Sequence, residues 1–419
     1  MKSWPLLAAA CVALPLIAVA ADYPQWRGPN RDGKSPETGL LKEWPEEGPP
    51  LVWKLTDIGD GYSTPSVVGE RLYVQANRGL DDEFLQSRSV SDGKRVWETR
   101  LGKVGNPDQK PPYPGSRSTP TVDGERIYAL SSDGDLVCVK TDSGEVVWKK
   151  SFRADFGGEP GVWAYSESPL VDGEVVVGAP GGNDATVVAL NKTNGELIWK
   201  LALPGGSRAA YSSPIAIEVG GVRQYVFFLE AGLVGVEAQG GALLWTYDRT
   251  AKGSLNNMPT PVSRDGYVYS SSRQSGGGMI KLLVDKQREF AVEEAFFSRK
   301  LPVSIGGAIE VDGYLYGTNS EAMLCVKFTT GDVQWQNRSI GAASLCYADG
   351  HFYLHGENGD LALVEATPKE YREKGRFTPA DQPERGRSKA WTYPVIANGR
   401  LYIRDLGTLW CYDIAEKKN

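Results

Sequence analysis

The chain has 419 residues and a formal net charge of -6, with 52 acidic against 46 basic side chains and a pI near 5.3. That balance excludes the basic face a nucleic-acid binder needs, and no Lys/Arg run marks an anionic membrane surface. The 49 Gly and 26 Pro, beside 12 Trp and 19 Tyr, favour many short strands and turns over helices.

Residues 1–21 read as a secretory signal peptide, with Lys2 ahead of an apolar run from Leu6 to Ala20 and a small-x-small cleavage site at Ala18-Val19-Ala20. An uncleaved anchor is disfavoured, because the run is shorter than the ~18 residues a span needs and contains Pro15. A lipid anchor at Cys11 fails on Ala8, where such a site prefers Leu. No other stretch is long and apolar enough to span a bilayer. The mature chain is expected in the periplasm or another extracytoplasmic space, as a monomer. Residues 22–50, rich in Pro, Gly and charge around Trp26 and Trp44, read as an extended arm lying on the body. LVWKL, Leu51 to Leu55, then looks like the last strand of a unit whose first three strands are missing.

A repeat follows. Ser118 to Trp148 shows it whole: four short apolar runs separated by turns at Asp123-Gly124, Ser132-Asp133-Gly134 and Asp142-Ser143-Gly144. The first-turn glycines, Gly69, Gly124, Gly173, Gly221, Gly266, Gly313, Gly350 and Gly399, recur at steps of 55, 49, 48, 45, 47, 37 and 49. A Ser/Thr-rich Pro lead-in precedes most units (YSTP, RSTP, SESP, YSSP, MPTP, and WTYP as a near-match). A Gly-to-Trp strand closes them at Trp97, Trp148, Trp199, Trp245 and Trp335. The fifth and seventh units lack that Trp, and Phe297 and Phe377 are expected in its place. Cys138, Cys325 and Cys411 share one third-strand position, so they read as buried small hydrophobes and not as disulfide partners.

The last unit stops after three strands near Ile414, and LVWKL can supply its fourth. Pairing the two ends removes the exposed edge of an open array. The fold class is therefore all-β, an eight-bladed β-propeller over residues 51–414 with a tail at 415–419, its last blade closed by an N-terminal strand.

The period, the Ser-x-Pro lead-in, the Asp-Gly-x-x-Tyr turn-strand and the Gly-x-x-x-Trp ending resemble the PQQ-like (pyrroloquinoline-quinone) repeat. Quinoprotein dehydrogenases and Bam-type outer-membrane assembly lipoproteins are built from it. QWRGPNRDG, Gln25 to Gly33, is similar to the start of exported bacterial propellers of this repeat. The resemblance covers nearly the whole mature chain, but function sits in a site and not in a fold.

Two functions follow from the resemblance. One is a non-catalytic binding or scaffold protein of the cell envelope, with no cofactor, that holds an envelope protein or a small polar ligand at the propeller funnel. The other is a PQQ- and calcium-dependent dehydrogenase acting on alcohols or sugars. The resemblance would then place Ca²⁺ on Glu167 (WAYSESP) and Asn256 or Asn257 (SLNNMPTP), oxygen ligands that suit a hard cation. Trp163 or Trp391 would cover the quinone. Against this, the sixth lead-in, LPVSIGGAI from Leu301 to Ile309, offers no Asp for a base, and no two cysteines are adjacent to make the vicinal disulfide.

The remaining residues carry little chemistry. His351 and His355 share one strand face but lie ~13 Å apart at ~3.3 Å per residue, too far to share a metal. Gly276-Gly277-Gly278 reads as an irregular turn. Lead-in residues that are neither apolar nor turn formers converge on one end of the axial channel: Tyr62, Arg117, Trp163, Tyr165, Glu167, Arg208, Tyr211, Asn256, Asn257, Lys389 and Trp391. Mixed Arg, Glu, Asn and aromatic side chains suit a polar small-molecule or peptide site. Two longer loops, Gly102 to Gly115 and Arg153 to Ala164, decorate that end, and the polar insert from Thr367 to Lys389 is expected to be a solvent-exposed excursion.

Overall fold

Apolar–polar alternation cut by glycine turns folds into antiparallel meanders. The structure, a computed structural model, describes residues 21–110, 113, 115–254, 256–338 and 340–417. The expected signal peptide therefore lies outside the described residues save for Ala21. The described strands form eight four-stranded antiparallel sheets. Blades 1 to 7 run in chain order, at 66–103, 121–151, 170–201, 215–247, 262–298, 308–337 and 343–377. Blade 8 takes three strands from 395–413 and its fourth from Leu51–Leu55, with Trp53 opposite Cys411 and Leu55 opposite Leu409. Arg404 of blade 8 ties that blade to blade 1 and its lead-in. Its Nη1 donates to Ser63 O at 2.9 Å and Gln75 O at 2.6 Å, and its Nη2 to Gly59 O at 3.1 Å.

The first turns are of two kinds. In blade 4 both Gly220 and Gly221 have positive φ, and in blades 5 to 8 an Asx-Gly pair does, such as Asp312 (φ 51°) and Gly313 (φ 86°). Two positive φ values mark the type I′ hairpin. In blades 1 to 3 only the glycine is positive, as at Gly124 (φ 57°), and the pairing of Asp123 with Arg126 puts Gly124 first in the turn. A leading glycine fits type II′. Asp123 is thus the last strand residue and not part of the turn.

Blade docking explains the Gly-to-Trp spacing. Trp148 Nε1 donates to Lys192 O of the next blade at 3.0 Å, Trp97 to Thr141 O at 3.0 Å and Trp335 to Thr367 O at 2.9 Å. The following blade's glycine lies against the ring: a Cβ on Gly195 would come within 2.8 Å of Trp148, and one on Gly144 within 2.6 Å of Trp97. Of the two expected substitutes one is corrected, and the other, Phe377, docks from a shifted register. In blade 5 the docking ring is Phe296, which pairs with Met279 at the Trp position and packs on Gly331; Phe297 lies one residue further, opposite Gly278. In blade 7 the Trp position is Gly375, opposite Leu363. A Cβ there would meet Trp44 Cβ at 2.5 Å, so the arm's main chain lies against Gly375, and the Trp44 indole packs on Tyr353 at 5.8 Å and edge-on against Phe377 at 5.4 Å. Phe377 itself covers Gly48.

Gly276 to Gly278 are not a turn either; they begin the strand Gly276–Val284. A Cβ on Gly277 would lie 2.3 Å from the Tyr269 hydroxyl and one on Gly278 2.6 Å from that of Tyr247. The insert after Thr367 contains the fourth strand of blade 7, Glu373–Phe377, and then folds back. Arg385 reaches buried Asp405 (Nε to Oδ2, 2.6 Å), and Ser388 Oγ lies 3.0 Å from the Tyr62 hydroxyl. It is a packed segment at the lead-in end, not a free excursion.

The arm crosses the axis. Tyr23 pairs with Val67 of blade 1, and Pro24 O accepts from Val122 N of blade 2 at 2.8 Å. Arg31 donates to Ser168 O and Pro169 O before blade 3 and to Pro214 O before blade 4, at 2.8, 2.9 and 2.8 Å. Trp26 Nε1 donates to Thr260 Oγ1 beside blade 5 at 2.8 Å, and Arg27 Nη2 to Ala308 O of blade 6 at 2.5 Å. Ser35 N donates to Tyr347 O of blade 7, and the Glu37 carboxylate accepts from Asn398 N and Gly399 N of blade 8. A segment that touches the innermost strands or lead-ins of all eight blades can only lie across the channel. QWRGPNRDG is a plug.

Candidate functional site

The plug and the lead-in loops enclose a cavity of about 320 Å³. Glu37 and Leu40 sit at the first-turn end, against Asn398, Gly399 and Asp349, whereas Trp26 faces the opposite end and lines the cavity. Aromatic rings make most of its wall. Trp391 packs tilted on Tyr62 at 5.3 Å and edge-on to Tyr113 at 5.0 Å. Facing them, Trp163 is 5.7 Å from Tyr211, whose hydroxyl accepts from Trp163 N at 3.2 Å. Trp26 meets Tyr393 edge-on at 4.6 Å, and the Tyr393 hydroxyl donates to Ile305 O at 2.9 Å.

The polar wall is different in kind. Arg117 Nη1 donates to Trp163 O at 2.8 Å and Gly115 O at 3.1 Å, but its Nη2 is buried without a hydrogen-bond partner. Trp163 Nε1, Ser166 Oγ and Asn256 Oδ1, on three other lining residues, are also buried and unpartnered. Buried polar atoms are nearly always satisfied, because each one left unmet costs about 1–3 kcal/mol. All four belong to residues that line this one cavity. The lining includes Arg117 and Arg273 but no Asp or Glu, in a chain with an excess of acids. Burial pushes the Arg117 guanidinium down, while Tyr62 and the carboxylate of Glu83 pull it back.

The candidate residues divide. Arg117, Trp163, Asn256, Trp391, Tyr62 and Tyr211 line this cavity. Glu167 does not: it is buried, its Oε1 accepts from Ala179 N at 2.6 Å, and burial raises its carboxyl to about 7 against the pull of that bond and of Arg31. Tyr165 is buried and donates to Pro180 O at 2.8 Å. Asn257 Nδ2 donates to Leu229 O at 2.7 Å, and Arg208 pairs with Glu230 at 3.1 Å; both line smaller clefts outside the cavity. Lys389 is exposed beside the rim, next to Ser388. The structure adds Trp26, Tyr113, Ser166 and Tyr393, of which Trp26 lay in plain view in QWRGPNRDG and Tyr393 in WTYP. It also adds a second buried carboxyl, Glu83, which accepts from Ser132 N at 2.9 Å and is raised by burial to about 7.

The residues present do not fit the quinone–calcium set that the resemblance implied. Its Glu is turned to a backbone amide and does not share the cavity with Asn256, and the sixth lead-in contributes Ile305 where a base would stand. Cys138, Cys325, Cys346 and Cys411 are buried free thiols in separate blades. His351 and His355 spend their Nδ1 atoms on Asp349 O and Thr392 O. No group of three or more His, Cys, Asp or Glu among the described residues could hold a metal ion.

Comparison with known proteins agrees with the architecture. The chain is 25% identical over 395 residues to the outer membrane protein assembly factor BamB of Yersinia pestis, covering 87% of this chain and 88% of the relative. Among solved structures it matches BamB from Moraxella catarrhalis with a TM-score of 0.60 at 14% identity, over 87% of this chain and 99% of the other. It matches the quinohemoprotein alcohol dehydrogenase ADHIIG of Pseudomonas putida HK5 with a TM-score of 0.59 at 11% identity, over 95% and 81%. At those identities the two structures show the eight-bladed fold alone. The family model described as outer membrane protein assembly factor BamB matches residues 89–337, more than half of the sequence, and the chain belongs to that family.

Proposed function

We propose that this chain is an exported, non-catalytic binding protein of the cell envelope, a scaffold whose specific contact is the aromatic cavity at the lead-in end. The carrying observation is that cavity: closed below by Trp26, walled by aromatic rings, and ringed by four unpartnered polar atoms. Such a concave, mainly apolar site with a few polar groups suits binding. The relatives' role as outer membrane protein assembly factors supports an envelope setting with protein partners. Among the described residues no helix is long and apolar enough to cross a membrane.

The test is fractionation with site-directed photo-crosslinking. A crosslinking residue at Lys389, exposed beside the cavity rim, should give an adduct with an envelope protein from chain recovered in the periplasmic fraction. Retention in the cytoplasm, or a periplasmic chain with no adduct, contradicts the proposal. The dehydrogenase reading has its own trial, PQQ with Ca²⁺ added to the purified protein. Dye-linked alcohol oxidation that disappears in Glu167→Ala would replace the scaffold reading.

A further inference from the structure

We infer that the cavity binds an acidic sugar: a hydroxylated ring that carries one carboxylate, such as a uronic acid residue. The inference rests on the cavity being the binding site, as proposed above, and names what it takes. Three observations narrow the chemistry. The first is charge. Two arginines and no acid line the cavity, so an anion is favoured, and Arg117 is held in place by two carbonyl bonds while its Nη2 stays free. A single guanidinium nitrogen with spare N–H groups suits one carboxylate. No lysine and no glycine-rich run of amides lines the cavity to cradle a phosphate chain.

The second observation is the set of unpartnered atoms. Arg117 Nη2 and Trp163 Nε1 can only donate, Asn256 Oδ1 can only accept, and Ser166 Oγ can do either. A flat aromatic carboxylate would satisfy the arginine and leave Asn256 and Ser166 unmet. A ring bearing several hydroxyls both donates and accepts, and so matches the mixed polarity of this wall. The third is shape. Trp391 with Tyr62 and Trp163 with Tyr211 form two aromatic clusters on the wall, above the Trp26 floor. The C–H face of a pyranose stacks on such rings, while their hydroxyl and indole edges remain available to its oxygens.

Tryptophan fluorescence and calorimetry of the full mature chain test this with glucuronate, galacturonate, glucose and benzoate. A uronate should bind at least ten-fold more tightly than glucose and than benzoate. Arg117→Gln should lose at least ten-fold for the uronate and a smaller factor for glucose, so that the preference for the uronate falls. Asn256→Leu, which replaces a wall carboxamide with an apolar side chain of similar size, should weaken uronate and glucose alike and guards against a misfolded Arg117 variant. Equal affinity for uronate and glucose, benzoate as tight as uronate, or no uronate binding at millimolar concentration would each overturn the inference. An envelope adduct from Lys389 without uronate binding sinks the ligand class alone; a chain that gives no adduct sinks the scaffold reading, whether or not uronate binds.

Discussion

Two arginines near the axis, Arg31 in the plug and Arg117 at the cavity, do opposite things with the same group. Arg31 donates to three backbone carbonyls and to Gln25 Oε1, and none of its nitrogens is left without a partner. Arg117 donates to two carbonyls with one nitrogen and leaves another unmet. Burial pushes Arg31 down to about 9, which still leaves it charged at neutral pH. The first guanidinium is a structural rivet between blades 3 and 4. The second is anchored but not saturated, and it lines the cavity.

Removing each charge measures that contrast. Arg31→Met strands the Ser168, Pro169 and Pro214 carbonyls in the interior and should cost about 4 kcal/mol or more in denaturant unfolding. A loss under ~1 kcal/mol would show that water replaces the guanidinium. Trp44→Ala, in the arm beyond the plug, removes the indole packed on Tyr353 and Phe377 of blade 7, which has Gly375 at its Trp position. It should cost about 3 kcal/mol, read as a lower thermal midpoint. Glu167→Gln probes the boundary between plug and cavity. Its carboxyl rises from an ordinary 4.5 to about 7 on folding. Between those values the unfolded chain is ionised and the folded one protonated, so stability falls as pH rises from about 4.5 to about 7 and is flat above. The amide variant should lose part of that slope and be more stable than the parent above pH 7; Glu83 keeps the remainder. Arg117→Gln should be the mildest change, about 1 kcal/mol, with its main effect on ligand binding. A stability loss as large as that of Arg31→Met would erase the distinction between the two arginines.

Much of this molecule could be read before any coordinate. The Gly-to-Trp spacing announced both the strand and its docking, because Gly144 must take a positive φ and also lie under Trp97. Where a blade broke the pattern, the reading slipped. Phe296 and Phe297 are adjacent aromatic residues, and only the register shift between Met279 and Ile280 chooses the first. Gly375 offered no aromatic residue at all, and its partner lies more than three hundred positions earlier in the chain, at Trp44. Three consecutive glycines looked like a turn because nothing in them reveals that the Tyr269 and Tyr247 hydroxyls exclude a Cβ.

By itself the sequence determined the number of blades, the closure of blade 8 by Leu51–Leu55 and the end of the channel where the lead-ins gather. Those are local or periodic properties, fixed by turn chemistry and by the strand period of two. The tertiary structure alone decided that the arm is a plug. It also placed Trp26 under Trp391 and Trp163 as a cavity floor, and turned Glu167 toward Ala179 while leaving Arg117 Nη2 unmet. The reason is physical: a side chain's hydrogen bonds near the axis depend on eight blades at once, and no window of sequence contains their geometry.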